Sequence, residues 1–143
     1  MDGMEALAHT AAVYQLYAPG REAAIVSASV DGVERALRAA ADAGIRRVVQ
    51  TSSIVSLPMT PPGSPAVTEA DWATDLRVPY FRGKTLAERR AWELSKELGL
   101  DLVTVLPGAF AGPGFARPTP TVDLVHSIMK GAMELAAPPL DYP

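Results

Sequence analysis

The chain has 143 residues, 48% of them hydrophobic and 20% charged, with a formal net charge of -3 and a pI near 5.3. That is one domain's length with enough apolar residues for a sizeable core, and its slight acidity excludes the basic footprint that nucleic acid or an anionic membrane surface demands. Cysteine is absent, which excludes disulfides, thiolate chemistry and zinc-thiolate sites and suits a reducing compartment.

The opening Met1-Asp2-Gly3-Met4-Glu5 is acidic and lacks the long apolar run of a secretory signal. No stretch approaches the roughly 20 apolar residues of a membrane span. A soluble, cytoplasmic protein is expected. Ala6-Leu7-Ala8 reads as a short buried strand running into the turn His9-Thr10-Ala11-Ala12, and Tyr14 to Gly20 as a loop closed by Pro19-Gly20. From Glu22 the period becomes helical: Val26, Val30, Val33, Leu37 and Ala41 recur at spacings of three and four, with Gly44 where a C-cap belongs. Ile45 to Ser53 is a β-type run ending in three hydroxyl residues, Thr51-Ser52-Ser53.

Pro58 to Pro65 carries four prolines and a glycine. Leu57 to Val78 is therefore an irregular excursion, with a short helical turn at Thr68 to Trp72, and a loop that long inside one domain is usually functional. A helix follows from Tyr80 to Leu98, closed by Gly99, with Ala87, Ala91, Leu94 and Leu98 on the side of Tyr80 and Lys84. Its charges, Glu88, Arg89, Arg90, Glu93, Lys96 and Glu97, read as a solvated face. Leu100 to Leu106 is apolar at nearly every residue, as a parallel strand covered on both faces should be, and stops at Pro107-Gly108. Val122 to Leu135 reads as one more helix, and Ala136 to Pro143 as an uncapped tail.

Alternating strands and helices predict an α/β fold: a parallel sheet of three recognisable strands, with helices on both faces. In such sheets the active crevice lies beyond the carboxyl ends of the strands. His9 to Ala12, Thr51 to Ser53 and Pro107 to Ala109 should converge there, with Tyr80 nearby. Tyr80 and Lys84 stand four residues apart on one helix face, so the ammonium can sit beside the phenol. A neighbouring positive charge brings a phenol pKa down from about 10, making Tyr80 a usable acid or base. A bare Y-x-x-x-K carries little weight alone; its position among the other motifs does. The two histidines, His9 and His126, lie far apart without cysteine, so no metal site is expected. The chain also lacks a serine-hydrolase elbow and a P-loop.

Four motifs in register resemble the extended short-chain dehydrogenase/reductases, within the NAD-dependent epimerase/dehydratase superfamily. They are His9-Thr10-Ala11-Ala12; Val49-Gln50-Thr51-Ser52-Ser53; Tyr80 to Lys84 with Thr85-Leu86-Ala87-Glu88; and Leu106-Pro107 with Gly112-Pro113. The branch they resemble is that of the dihydroflavonol reductases, cinnamoyl-CoA reductases and 3β-hydroxysteroid dehydrogenases. The resemblance implies a doubly wound, Rossmann-type sheet and an NAD- or NADP-dependent oxidoreductase acting on a small carbonyl or alcohol substrate. Tyr80 would be the general acid or base, Ser53 would polarise the substrate oxygen, and Lys84 would lower the Tyr80 pKa and hold the nicotinamide ribose. Ser53 is preferred to Ser52 because it ends the run. Ala11, Ala12, Thr51, Tyr80, Lys84, Pro107 and Gly108 would line the cofactor, and two copies would pair through the long helices.

The family's Gly-rich phosphate turn is absent, and so is a C-terminal substrate lobe. Residues 1–143 are therefore expected to be a partial cofactor domain, the second half of the sheet, inactive alone. Two alternatives share the fold: a sugar-nucleotide epimerase or dehydratase, and a non-catalytic cofactor- or partner-binding relative. Thr85-Leu86-Ala87-Glu88 after Lys84, and Ile54-Val55-Ser56 where an epimerase has V-Y-G, favour the reductase.

Overall fold

The computed structural model describes residues 3–15, 18–110, 112, 114 and 119–131. The elements run β1 (Ala6–His9), α1 (Glu22–Asp42), β2 (Arg47–Thr51), a 3-10 turn (Ile54–Ser56), α2 (Pro79–Leu98), β3 (Asp101–Val105) and α3 (Pro120–Met129). Pro113 of the fourth motif, the expected continuation of α3 to Leu135 and the tail lie outside the described residues. Both long helices stop where the sequence places a glycine. Gly44 at φ +74 and Gly99 at φ +65 take the left-handed conformation that turns the chain back into β2 and β3. Pro79 opens α2 at its first turn, where its missing N–H costs no helix hydrogen bond.

The strands are parallel and in the order β1-β2-β3, with Leu7 beside Val48 and Val48 beside Leu102. Two crossovers of the usual right hand that both step the same way across a sheet place their helices on the same face. Accordingly α1 and α2 pack together against one side, where Val33, Leu37, Ala40, Val48, Leu94 and Leu102 belong to a single core. The opposite side carries Ala6, Ala8, Val103 and Val105, all exposed among the described residues. The expected cover on both faces is thus corrected for α1 and α2, and β3 alternates buried and open positions rather than being enclosed. β1 is likewise a half-exposed edge rather than a buried strand, because alanine at 6 and 8 faces away from the helices.

The face that α1 buries keeps the expected Val33 and Leu37 but is set one residue earlier elsewhere, at Ile25, Ser29 and Ala40. Val26 and Val30 are only half-buried. Residues 57–78 form no helix or strand, and the Thr68–Trp72 segment is a turn in which Asp71 accepts from the Thr68 backbone N–H at 2.8 Å and from its hydroxyl at 2.9 Å. This excursion is pinned at two points. The Ala73 N–H donates to the Ser56 carbonyl at 2.8 Å, and the Arg89 guanidinium lies 5.0 Å from the Trp72 ring centroid. Among the described residues no helix is long and apolar enough to cross a membrane.

α1 lies close against α2 at Gly83, where an added Cβ would stand 3.0 Å from Ser29 Oγ, 3.4 Å from Ser29 Cβ and 3.5 Å from Val26 Cα. A β-branched side chain there must push the helices apart. Gly83→Val is expected to lower stability by about 1–3 kcal/mol through overpacking, read as a lower urea midpoint; an unchanged midpoint would show that the helix contact yields freely.

Candidate active site

The site is built where β2 runs out. Beyond Thr51 the chain keeps its hold on β3, with the Ser52 N–H donating to the Val105 carbonyl at 2.8 Å and the Ile54 N–H to the Pro107 carbonyl at 3.0 Å. These bonds keep Ser52 and Ser53 extended past the end of the strand. Ser53, at φ -165, then caps the 3-10 turn by accepting from the Val55 N–H at 3.4 Å.

α2 faces this run with Tyr80, Lys84 and Glu88, spaced by four so that they stack along one side of the helix. Tyr80 is half-buried, its ring 5.4 Å from that of Tyr14 and 6.3 Å from that of Phe81. Ser53 favours the ionised form of the phenol. Lys84 is 8% exposed and directs its ammonium at the Thr51 and Ser52 carbonyls, both at 3.4 Å. Its Nζ lies 6.0 Å from the Tyr80 ring centroid.

Burial dominates the electrostatics. It raises the Tyr80 pKa above the ordinary phenol value, partly offset by Ser53 and reinforced by Tyr14. The expected depression by Lys84 is therefore corrected: its ammonium is turned to the Thr51 and Ser52 carbonyls, and burial of the phenol governs the shift. Burial also lowers the Lys84 pKa, opposed by the charge of Glu88. His9, at the end of β1, is lowered first by burial and then by Lys84. Its Nε2 and the Oε1 of Gln50, beside it across the strands, are buried with no hydrogen-bond partner among the described residues.

The remaining expected residues ring this centre. Ala11 and Ala12 are exposed at the mouth of a cavity of about 20 Å³ that also touches Gln50, Ser52, Lys84 and Glu88. Thr51 and Pro107 act through their carbonyls, as above. Gly108 is exposed, and nothing lies within 4 Å of where its Cβ would stand. On the far side of Ser53 and Tyr80 opens a groove of about 220 Å³, lined mainly by Ile54, Val55, Leu57, Met59, Val78 and Phe81. On its rim Asp75 is held down to about 2 by hydrogen bonds from Arg77.

Two residues escaped the sequence reading. Glu88, assigned to the solvated face, is 4% exposed and accepts a hydrogen bond from Ser52 Oγ at 2.5 Å. Its place four residues after Lys84, next to Ala87 in the apolar stripe, was the available signal. Tyr14, read as loop, sets its ring against that of Tyr80 at a tilt of 52° and bonds Thr121 Oγ1 through its hydroxyl at 2.7 Å. Nothing in the sequence pointed to that contact.

Residues 1–138 match the NAD dependent epimerase/dehydratase family. The chain belongs to that family. It is 36% identical over 109 residues to cinnamoyl-CoA reductase 1 of Arabidopsis thaliana, covering 71% of this chain and 31% of that protein. To dihydroflavonol 4-reductase of Zea mays it is 33% identical over 128 residues, 82% of this chain and 36% of that one. Its fold is that of yeast methylglyoxal/isovaleraldehyde reductase Gre2, crystallised with NADPH, at a TM-score of 0.79 and 23% identity, over 94% of this chain and 46% of the other. The sheet is thus part of a Rossmann-type fold, and the chain spans about a third of the length of these curated relatives.

The raised Tyr80 pKa has a sign that can be measured. A group whose folded pKa is raised contributes stability that is complete below its unfolded value, here 10.0, and lost as pH rises through the folded value. In an ultraviolet base titration of the four tyrosines, one is expected to ionise later than a free phenol, and Tyr80→Phe should remove that late component. Its persistence in Tyr80→Phe would assign the late phenol elsewhere.

Proposed function

We propose that this chain carries the proton-transfer centre of an NAD(P)-dependent reductase acting on carbonyl compounds, or on alcohols in reverse. The observation that supports this most is the placement of Lys84 on the Thr51 and Ser52 carbonyls at the carboxyl end of a parallel strand, with Tyr80 one turn earlier on the same helix face and Ser53 next along the strand's run. In the reductive direction the Tyr80 phenol, kept neutral by burial, gives its proton to the carbonyl oxygen while Ser53 donates a hydrogen bond to the same atom. The carbonyl carbon takes the hydride that a reduced nicotinamide supplies. Ser52 is a weaker candidate for the oxygen, because its hydroxyl is already committed to Glu88.

The residues present fit the nicotinamide-ribose end of a dinucleotide. Ala11, Ala12 and Gly108 leave room beyond the strands, Lys84 offers a cation, and the unpaired His9 Nε2 and Gln50 Oε1 stand close by. They do not fit the pyrophosphate, since the G-x-x-G-x-x-G spacing that would hold it occurs nowhere in these 143 residues. The apolar groove beside Phe81 favours a substrate with an apolar or aromatic body over a sugar nucleotide. Pairing of two copies through the outer faces of α1 and α2 belongs to the same reading.

When this chain replaces the matching segment of a cinnamoyl-CoA reductase, Tyr80→Phe is expected to lower kcat by about 10²–10⁴-fold with cofactor affinity retained, and Ser53→Ala by less. Turnover within a few-fold of the parent in Tyr80→Phe would remove Tyr80 from the chemistry. The chain by itself is expected to bind NADH or NADPH no tighter than about 1 mM. Isothermal titration giving a micromolar Kd would mean that the phosphates are held by residues other than a Gly-rich turn.

A further inference from the structure

Glu88 is buried while Glu93 and Glu97 of the same helix stay exposed. A carboxylate removed from water needs compensation, and here it comes from one residue on another element. Ser52 Oγ donates to Glu88 Oε2 at 2.5 Å, within the range of hydroxyl bonds to an ionised carboxylate. Ser52 and Ser56 hydroxyls are 3.1 Å apart. With the Ser52 proton committed to Glu88, Ser56 must be the donor of that second bond, so the relay runs from Ser56 to Ser52 to Glu88.

One turn earlier, Lys84 takes the carbonyl of the same serine. Every polar group of Ser52 is thereby held: its N–H by Val105, its carbonyl by Lys84, its hydroxyl by Glu88 and Ser56. Lys84 and Glu88 act on each other through space rather than by a direct ion pair. Around them, Tyr80 faces in from α2, His9 from β1 and Tyr14 from the following loop, while α1 presents Ala28, Ser29, Gly32 and Val33, none of them charged. Glu88 is the negative charge in this group.

We propose that Glu88 is a positioning residue for the Tyr80/Lys84 centre: it holds Ser52, and so the backbone that carries Ser53, and sets a negative charge one helical turn from the buried Lys84 ammonium. Its importance for turnover rests on the reductase reading above. Its effect on Lys84 does not.

The chain has three lysines, Lys84, Lys96 and Lys130, so ¹³Cε-labelled lysine resolves each titration by NMR. In Glu88→Gln the Lys84 midpoint is expected to fall by at least about one pH unit, a tenfold change in its acid constant, with Lys96 and Lys130 unmoved. Glu88→Asp keeps the charge and should restore most of the midpoint, a rescue that a merely structural role would not give. A Lys84 midpoint in Glu88→Gln equal to the parent's overturns the proposal. Should Glu88→Gln be too unstable to titrate, thermal melting decides. Lys84→Met/Glu88→Gln, which removes both charges, is expected to melt above Glu88→Gln, and a double variant melting below both singles overturns the proposal as well. The expected fall of the Lys84 midpoint in Glu88→Gln, together with a chain that proves inactive after grafting, would sink the reductase reading and leave Glu88 standing.

Discussion

Lys84 and Glu88, two opposite charges one helical turn apart, are buried against the end of β2, and the rest of the site depends on that burial. A charged side chain leaves water only where its hydrogen bonds are replaced, and both replacements come from Ser52 and its neighbours. This requires α2 to lie close over β2 and beside α1. Gly83 makes the helix approach possible, and the Leu37, Leu94 and Val48 core holds it at that distance. The register of β2 on β3 then decides where the three hydroxyl residues end.

The same burial explains why Tyr80 is not a simple lysine-activated phenol. Lys84 is near enough to contribute to its surroundings, but it is directed at the backbone of the strand, and desolvation governs both groups.

One bare sheet face follows from topology rather than from composition. Because β1, β2 and β3 are added in a single direction, α1 and α2 cover one side, and Val103 and Val105 stand at 40% and 48% exposure on the other. The chain covers only 31% and 36% of the cinnamoyl-CoA and dihydroflavonol reductases it resembles. The apolar character of β3 therefore records a strand whose sequence suits cover on both faces, while the described residues cover one.

Much of the framework was legible in the sequence because it rests on local chemistry. Gly44 and Gly99 end helices wherever they occur in such a context, Pro79 starts one, and a hydroxyl run after Val48-Val49 marks the end of a strand. The four motifs carried the family because their spacing reflects the crossover lengths. What the sequence could not determine depends on packing between distant elements. Helical periodicity is blind to which charged residues face a neighbour, so Glu88 looked like the exposed Glu93 and Glu97; only the approach of Ser52, 36 residues away, makes it an interior group. Tyr14 meets Tyr80 across the loop for the same reason. The choice of face for α1 and α2 was likewise decided by strand order, a property of the assembled sheet that no single segment encodes.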